Sequence, residues 1–195
     1  MKFLAIDTSG GEVLVAAANE NRESVRRVVG TTSVRLMDEI DGVLSDVGLK
    51  KTALDFIACV VGPGSFTGIR IGISTAKGLC FALDKPALAL TSFDLLAYAE
   101  TGKSLALIDA GHGNYYACAY ENGIALAPAF LSEEELAHYR DEGYTFLSRK
   151  PLLVECNIKD AGAGLLGAAK ANADGAGKGE LTALYLRKSS AEEGR

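Results

Sequence analysis

The spacing of apolar and polar positions changes period several times along the chain. Residues 2–7 form a short apolar run that ends in Asp7, and Val13–Ala18 and about Glu23–Val29 follow as two further strand-like runs. The separators, Thr8-Ser9-Gly10-Gly11 and Asn19-Glu20-Asn21, have turn chemistry, which predicts three strands in an antiparallel meander. The period then becomes helical. Leu36, Met37, Ile40, Val43, Leu44 and Val47 recur at three- and four-residue spacing, with Ser33 or Thr32 suited to cap the start and Gly48 the end. Phe56–Val61 is apolar throughout, as a parallel strand covered on both faces should be. A glycine-rich turn leads into a second helix over roughly Thr67–Leu83, and a short strand at Ala87–Leu90 and a helix from Ser92 complete this half.

The predicted order is βββαβαβα. A hairpin meander that passes into βαβ crossovers is the ribonuclease H-like plan, which is duplicated in the actin-like ATPase and sugar-kinase class. A repeat is visible at an offset of 102 residues (109 − 7). It sets Leu4-Ala5-Ile6-Asp7 against Ala106-Leu107-Ile108-Asp109, Gly11 against Gly113, and Val13–Ala17 against Tyr115–Ala119. Identity within it is sparse, so chance likeness of two apolar hairpins is the alternative. The expected organisation is α/β with two lobes, residues 1–101 and 102–195. The second is reduced, with an acidic run at Glu133–Glu135, a strand at Leu152-Leu153-Val154, a glycine-weakened helix over Ala161–Ala173 and a frayed tail from Ser189.

Composition narrows the function. The 195 residues carry a net charge of −5, are 48% hydrophobic and 23% charged, and hold no apolar run long enough to span a membrane. Neither a signal peptide nor an anchor is read at the N-terminus, and a cytoplasmic location is expected. The densest basic spot, Arg22, Arg26 and Arg27, has Glu20 and Glu23 among it, which argues against a primary grip on nucleic acid. Cys59, Cys80, Cys118 and Cys156 form no CxxC pair, and His112 and His138 stand apart. Buried reduced thiols are expected, with no metal site. With only two isolated histidines, no Ser/His/Asp or Cys/His constellation offers itself.

The stretch Gly62-Pro63-Gly64-Ser65-Phe66-Thr67-Gly68-Ile69-Arg70-Ile71-Gly72 follows a buried strand and opens a helix. Free backbone N–H groups there suit an anion, and a plain tight turn suits the glycines equally well. It is not a Walker A loop, because the GK[ST] ending is missing. Gly68, Gly72 and Ala76 form a small-residue ridge, to be covered by the chain's own sheet or by another subunit. In the duplicated actin-like fold the turns after Asp7 and Asp109 face each other across a cleft and hold phosphates and metal. Asp7, Thr8, Ser9 and Asp109 are therefore candidates for a degenerate nucleotide site. The second turn, Asp109-Ala110-Gly111-His112-Gly113, lacks a hydroxyl, and Asp109 can equally cap its own turn.

The segment GPGSFTGIRIG resembles the signature of the bacterial TsaB (YeaZ) family. Leu4–Ser9, Ile108-Asp109-Ala110 and Tyr185-Leu186-Arg187 resemble weaker family patterns. The resemblance marks Gly62, Pro63, Gly64, Ser65, Phe66, Thr67, Gly68 and Arg70 as the signature loop. It implies a non-catalytic subunit of the machinery that makes threonylcarbamoyladenosine next to the tRNA anticodon. Such a subunit would form a homodimer in isolation, bind and activate TsaD, be joined by the ATPase TsaE, depend on TsaC for threonylcarbamoyl-adenylate, and meet tRNA only through the complex. ATP would be used by the complex, with no cofactor required by this chain and no peptidase activity. Where the related TsaD has an HxxxH helix motif this chain has Thr32-Ser33-Val34-Arg35-Leu36, and Asp38 stands where the family often has proline. A partner surface is expected on the first-lobe helices at Leu36, Met37, Ile40, Gly68, Gly72 and Ala76. The alternative from the fold class is a small ATP-dependent kinase or phosphotransferase using Asp7, Thr8, Ser9 and Asp109.

Overall fold

Two five-stranded mixed sheets lie in series in the computed structural model, which describes residues 1–30 and 32–186, with the side chains of Thr32 and Ser33 outside that description. The capping expected of Thr32 or Ser33, and the expectations for Arg187 and the tail, fall outside the described residues. In the first half, β1 (Phe3–Asp7), β2 (Glu12–Ala18) and β3 (Glu23–Val29) form the meander. The crossovers α1 (Thr32–Asp46), β4 (Phe56–Val60), α2 (Phe66–Leu83), β5 (Ala87–Leu90) and α3 (Ser92–Ala97) follow, giving strand order β3-β2-β1-β4-β5. The second half repeats it with β6 (Ser104–Gly111), β7 (Asn114–Tyr120), β8 (Ile124–Ser132), α4 (Glu133–Asp141), β9 (Thr145–Ser148), β10 (Asn157–Ile158) and α5 (Ala161–Ala171), in order β10-β9-β6-β7-β8. This is the duplicated ribonuclease H-like fold, and the offset of 102 residues carries β2 onto β7 end for end.

β1 is buried along its whole length because both of its faces are covered. Leu4 and Ile6 meet Leu36, Ile40, Val43 and Leu44 of α1 and Ile69, Ile73 and Ala76 of α2. Phe3 and Ala5 face the other way, onto Ala161, Leu165, Ala168 and Ala169 of α5. The helix that ends the second half therefore covers the first sheet. In exchange, Phe93 and Leu96 of α3, from the first half, pack on Ala106, Cys118 and Leu147 of the second sheet. The strands divide between the halves, β1–β5 in one sheet and β6–β10 in the other, while α3 and α5 each pack on the sheet of the other half. The helix α5 packs on the first sheet, and Leu181 packs on that sheet's other face, with α1 and α2. The strand expected at Leu152–Val154 is likewise corrected: the parallel neighbour of β6 is β9, and residues 151–156 are irregular. No helix among the described residues is long and apolar enough to cross a membrane.

One surface pair titrates usefully. Asp46 accepts from Arg26 Nε at 2.8 Å, from Arg26 Nη2 and from Ser24 Oγ, and the guanidinium bonds hold its carboxyl at about 2, below its ordinary 3.8. A carboxylate depressed by folding contributes its full stability above its unfolded value and loses it as pH falls through the folded one. Acid unfolding should therefore have a component between pH 4 and 2 that disappears in Asp46→Asn, measured by circular dichroism against pH.

Candidate functional site

The C-terminal ends of β1 and β6 face one cleft of about 670 Å³. Its lining includes Ser9, Gly10, Gly64 and Ser65 from the first half and Asp109, Tyr116, Arg149 and Lys150 from the second. The two candidate turns thus do come together across a cleft. What their side chains do differs from the expectation for a phosphate clamp. Asp7 is 1% exposed, and its Oδ1 accepts from the Ser9 N–H at 2.9 Å and from Ser9 Oγ at 2.7 Å. Ser9 Oγ also lies 3.0 Å from Ser92 Oγ, which donates to the Pro63 carbonyl at 2.8 Å. Thr8 donates its hydroxyl to the Gly68 carbonyl at 2.6 Å. The first turn fastens β1 to the signature loop, directly through the Thr8 hydroxyl and through Ser92 by way of Ser9. Asp109 accepts from the Gly111 N–H at 2.9 Å, capping its own turn, and stands 3.4 Å from Lys150 Nζ.

The glycine segment has a stated geometric reason at two positions. Gly64 has φ of +155°, and a Cβ there would lie 2.4 Å from the Ser9 carbonyl oxygen. At Gly68 a Cβ would lie 2.0 Å from the Thr8 carbonyl oxygen. The first turn of α2 therefore runs almost in backbone contact with the turn after β1, and Ser65 caps it, accepting from the Gly68 N–H at 3.2 Å. Phe66 and Arg70 serve another purpose. The Arg70 guanidinium stacks 3.8 Å from the Phe66 ring centre and its Nε donates to Tyr185 Oη at 3.1 Å, while Phe66 and Tyr185 stack at 4.8 Å. With the Leu184 N–H donating to the Val61 carbonyl at 2.8 Å, this pins the C-terminal segment against the signature loop.

The partner ridge expected at Gly68, Gly72 and Ala76 is corrected. All three are buried, and a Cβ at Gly72 would meet Thr8 Oγ1 at 2.5 Å and Cys59 Sγ at 3.5 Å. The ridge packs within the chain, where Gly68 and Gly72 leave room for the Thr8 carbonyl and hydroxyl in the turn after β1 and for the Cys59 thiol of β4. Leu36 and Ile40 are also buried, and of the six expected contact residues only Met37 reaches solvent. The exposed apolar positions on the two helices covering this side are instead Val34 and Met37 of α1 and Phe81 of α2, the last 92% exposed.

Three contributors escaped the sequence reading. Ser92 carries no signal beyond its place as the first residue of a capped helix. Arg149 and Lys150 do carry one, as adjacent cations directly after a strand parallel to β6 and hence at the same sheet end as Asp109. Cys59, beneath Gly72, has its thiol pushed far up by burial, with the Asp7 charge adding to it. In the folded chain it should resist alkylation at pH 8 over the period in which a denatured sample is fully labelled, read by intact mass.

Comparison with known proteins adds the following. Residues 28–143 match the family model of TsaD, tRNA N6-adenosine threonylcarbamoyltransferase. The tRNA threonylcarbamoyladenosine biosynthesis protein TsaB of Bacillus subtilis is 34% identical over 132 residues, covering 64% of this chain and 58% of that protein. The Escherichia coli protein of the same name is 32% identical over 134 residues, with the same coverage. The matched stretch thus spans less than two thirds of these relatives. The solved structure of YeaZ from Pseudomonas aeruginosa superposes with a TM-score of 0.74 at 27% identity, covering 95% of this chain and 99% of that one.

Proposed function

The chain belongs to the TsaD family, within its TsaB/YeaZ branch, and on that footing we propose that it is a non-catalytic subunit that binds and activates TsaD in the making of threonylcarbamoyladenosine in tRNA. The observation that carries the non-catalytic reading is the first turn. Asp7, Thr8 and Ser9, the groups that a phosphotransferase of this fold would aim at nucleotide, are buried and engaged within the chain: Thr8 bonds the signature loop, Ser9 bonds Asp7, and Asp7 pairs with Arg149. This counts against the kinase alternative. In the proposal TsaE joins the pair and TsaC supplies the activated threonylcarbamoyl group. ATP is used by the complex, and tRNA is met through it.

The partner face is assigned to the outer side of α1 and α2, with Phe81 as its anchor. An aromatic ring standing 92% exposed on a helix whose other face builds the core is unusual for a surface meant to stay in water. TsaD is the occupant because its own family model matches this chain across both helices, so a pseudo-symmetric pairing of like lobes fits. The test is calorimetric titration with TsaD together with reconstitution of tRNA modification from TsaD, TsaC, TsaE and this chain. The complete mixture should modify tRNA and the chain alone should neither do so nor turn over ATP. Phe81→Asp should weaken TsaD binding about 30-fold or more, as loss of an interface anchor does. Modification that proceeds equally without the chain, or ATP turnover by the chain alone that Asp7→Ala abolishes, refutes the proposal.

A further inference from the structure

Asp7, which ends β1, and Asp109, near the end of β6, are each met by a cation from one two-residue segment after β9. Arg149 Nη1 lies 2.7 Å from Asp7 Oδ2, and Lys150 Nζ lies 3.4 Å from Asp109 Oδ2. The first contact crosses between the halves and is enclosed, the Arg149 side chain being 15% exposed and that of Asp7 1%. The turn after β1 makes room for it: a Cβ at Gly10 would fall 2.7 Å from Arg149 Nη1. Gly10 has no positive φ to explain it, so what its missing side chain provides is space for the guanidinium.

A divalent metal held with nucleotide phosphates in this cleft, as the fold class leads one to expect, does not fit these residues. Asp7 has one carboxylate oxygen committed to Ser9 and the other to Arg149. A metal ion at the second oxygen would sit against a fixed positive charge in an enclosed place, where like charges repel strongly. We infer that Arg149 is a built-in cation that takes the position a metal would need beside Asp7, so that this chain excludes metal-bound nucleotide from its own cleft. This goes beyond the partnership proposed above, and it holds or fails whether or not the chain binds TsaD.

The probe is Mn²⁺, alone and with ADP, followed by electron paramagnetic resonance and calorimetry. Four folded chains are compared: wild type, Arg149→Met, Gly10→Val and Asp7→Asn/Arg149→Met, with folding checked by circular dichroism. Wild type should show no saturable binding at millimolar Mn²⁺. Arg149→Met should gain one site, about tenfold tighter or more, as removal of an adjacent like charge predicts, and the double variant should lose it. Gly10→Val, which displaces the guanidinium without removing it, should gain the site in part, and it keeps the question open to experiment should Arg149→Met fail to fold. Saturable Mn²⁺ binding by wild type that a fifth chain, Asp7→Asn, loses overturns the inference. So does a folded Arg149→Met that binds no better than wild type.

Discussion

Gly68→Ala should destabilise the fold by about 2–4 kcal/mol, while the same change at Gly78, later in the same helix, should stabilise it by about 0.5–1 kcal/mol. Both residues lie in α2, and alanine is the better helix former at either. The sign is decided by surroundings. A Cβ at Gly78 meets nothing within 4 Å, whereas at Gly68 it would lie 2.0 Å from the Thr8 carbonyl oxygen, which is backbone and cannot swing aside. Relief requires α2 to withdraw from β1. Withdrawal lengthens the buried hydrogen bond from Thr8 Oγ1 to the Gly68 carbonyl, adding the cost of a buried polar pair to that of overpacking. For a chain of this size the loss corresponds to a fall in Tm of about 4–16 °C. Urea titration of the two variants beside wild type measures both signs. A Gly68→Ala chain as stable as wild type would mean that the signature loop is not in backbone contact with the first turn.

That contrast marks how far the residue order alone could be read. The elements of the first half were legible because each burial demand is local: β4 is apolar throughout because two layers cover it, and α1 repeats its apolar positions at helical spacing because one face is covered. The repeat was legible because β1, β2 and their turns recur at one offset. What could not be read is which sheet a helix covers. Nothing in Ser92–Ala97 or Ala161–Ala171 says that the first will lie on the later sheet and the second on the earlier, since an apolar face is indifferent to the sequence position of its partner. β9 was missed for a related reason. It is four residues long, too short for a period to declare itself, and the more apolar Leu152-Leu153-Val154 drew the assignment away from it.

The site divides along the same line. That Asp7 and Asp109 would face one cleft followed from the duplication. That Arg149 would reach Asp7 did not, because the contact joins β1 to a segment 142 residues later (149 − 7) and no spacing rule extends that far. The small residues of α2 were read as a ridge that invites close approach, which is correct, but approach by the chain's own strands satisfies it. Small-residue spacing reports how near a neighbour comes without saying which neighbour it is. The exposed ring of Phe81 on the same helix carries the opposite information, a bulky apolar group that the described residues leave almost uncovered.

The second large effect is expected at the contact between the exchanged helices. Gly164→Ala should cost about 2–3 kcal/mol, and Gly167→Ala, one turn on in α5, should be close to neutral. A Cβ at Gly164 would lie 2.2 Å from the Leu95 carbonyl oxygen and 3.0 Å from its carbonyl carbon, both backbone atoms of α3. A Cβ at Gly167 would come 2.1 Å from the Tyr98 ring, a closer approach on paper, yet that ring is the far end of a side chain 40% exposed and can rotate into solvent. The rigid obstacle therefore outweighs the nearer one. Pushing α5 off α3 also disturbs more than one layer. Leu95 packs with α5 in the core of the first sheet, while Phe93 and Leu96 on the same short helix fill the core of the second. Gly164→Ala should accordingly raise amide exchange in α3, β6 and β9 as well as in α5, whereas Gly167→Ala should leave exchange in the second sheet unchanged. Equal losses of stability at the two positions, or exchange confined to α5, would show that α3 and α5 do not couple the two sheets.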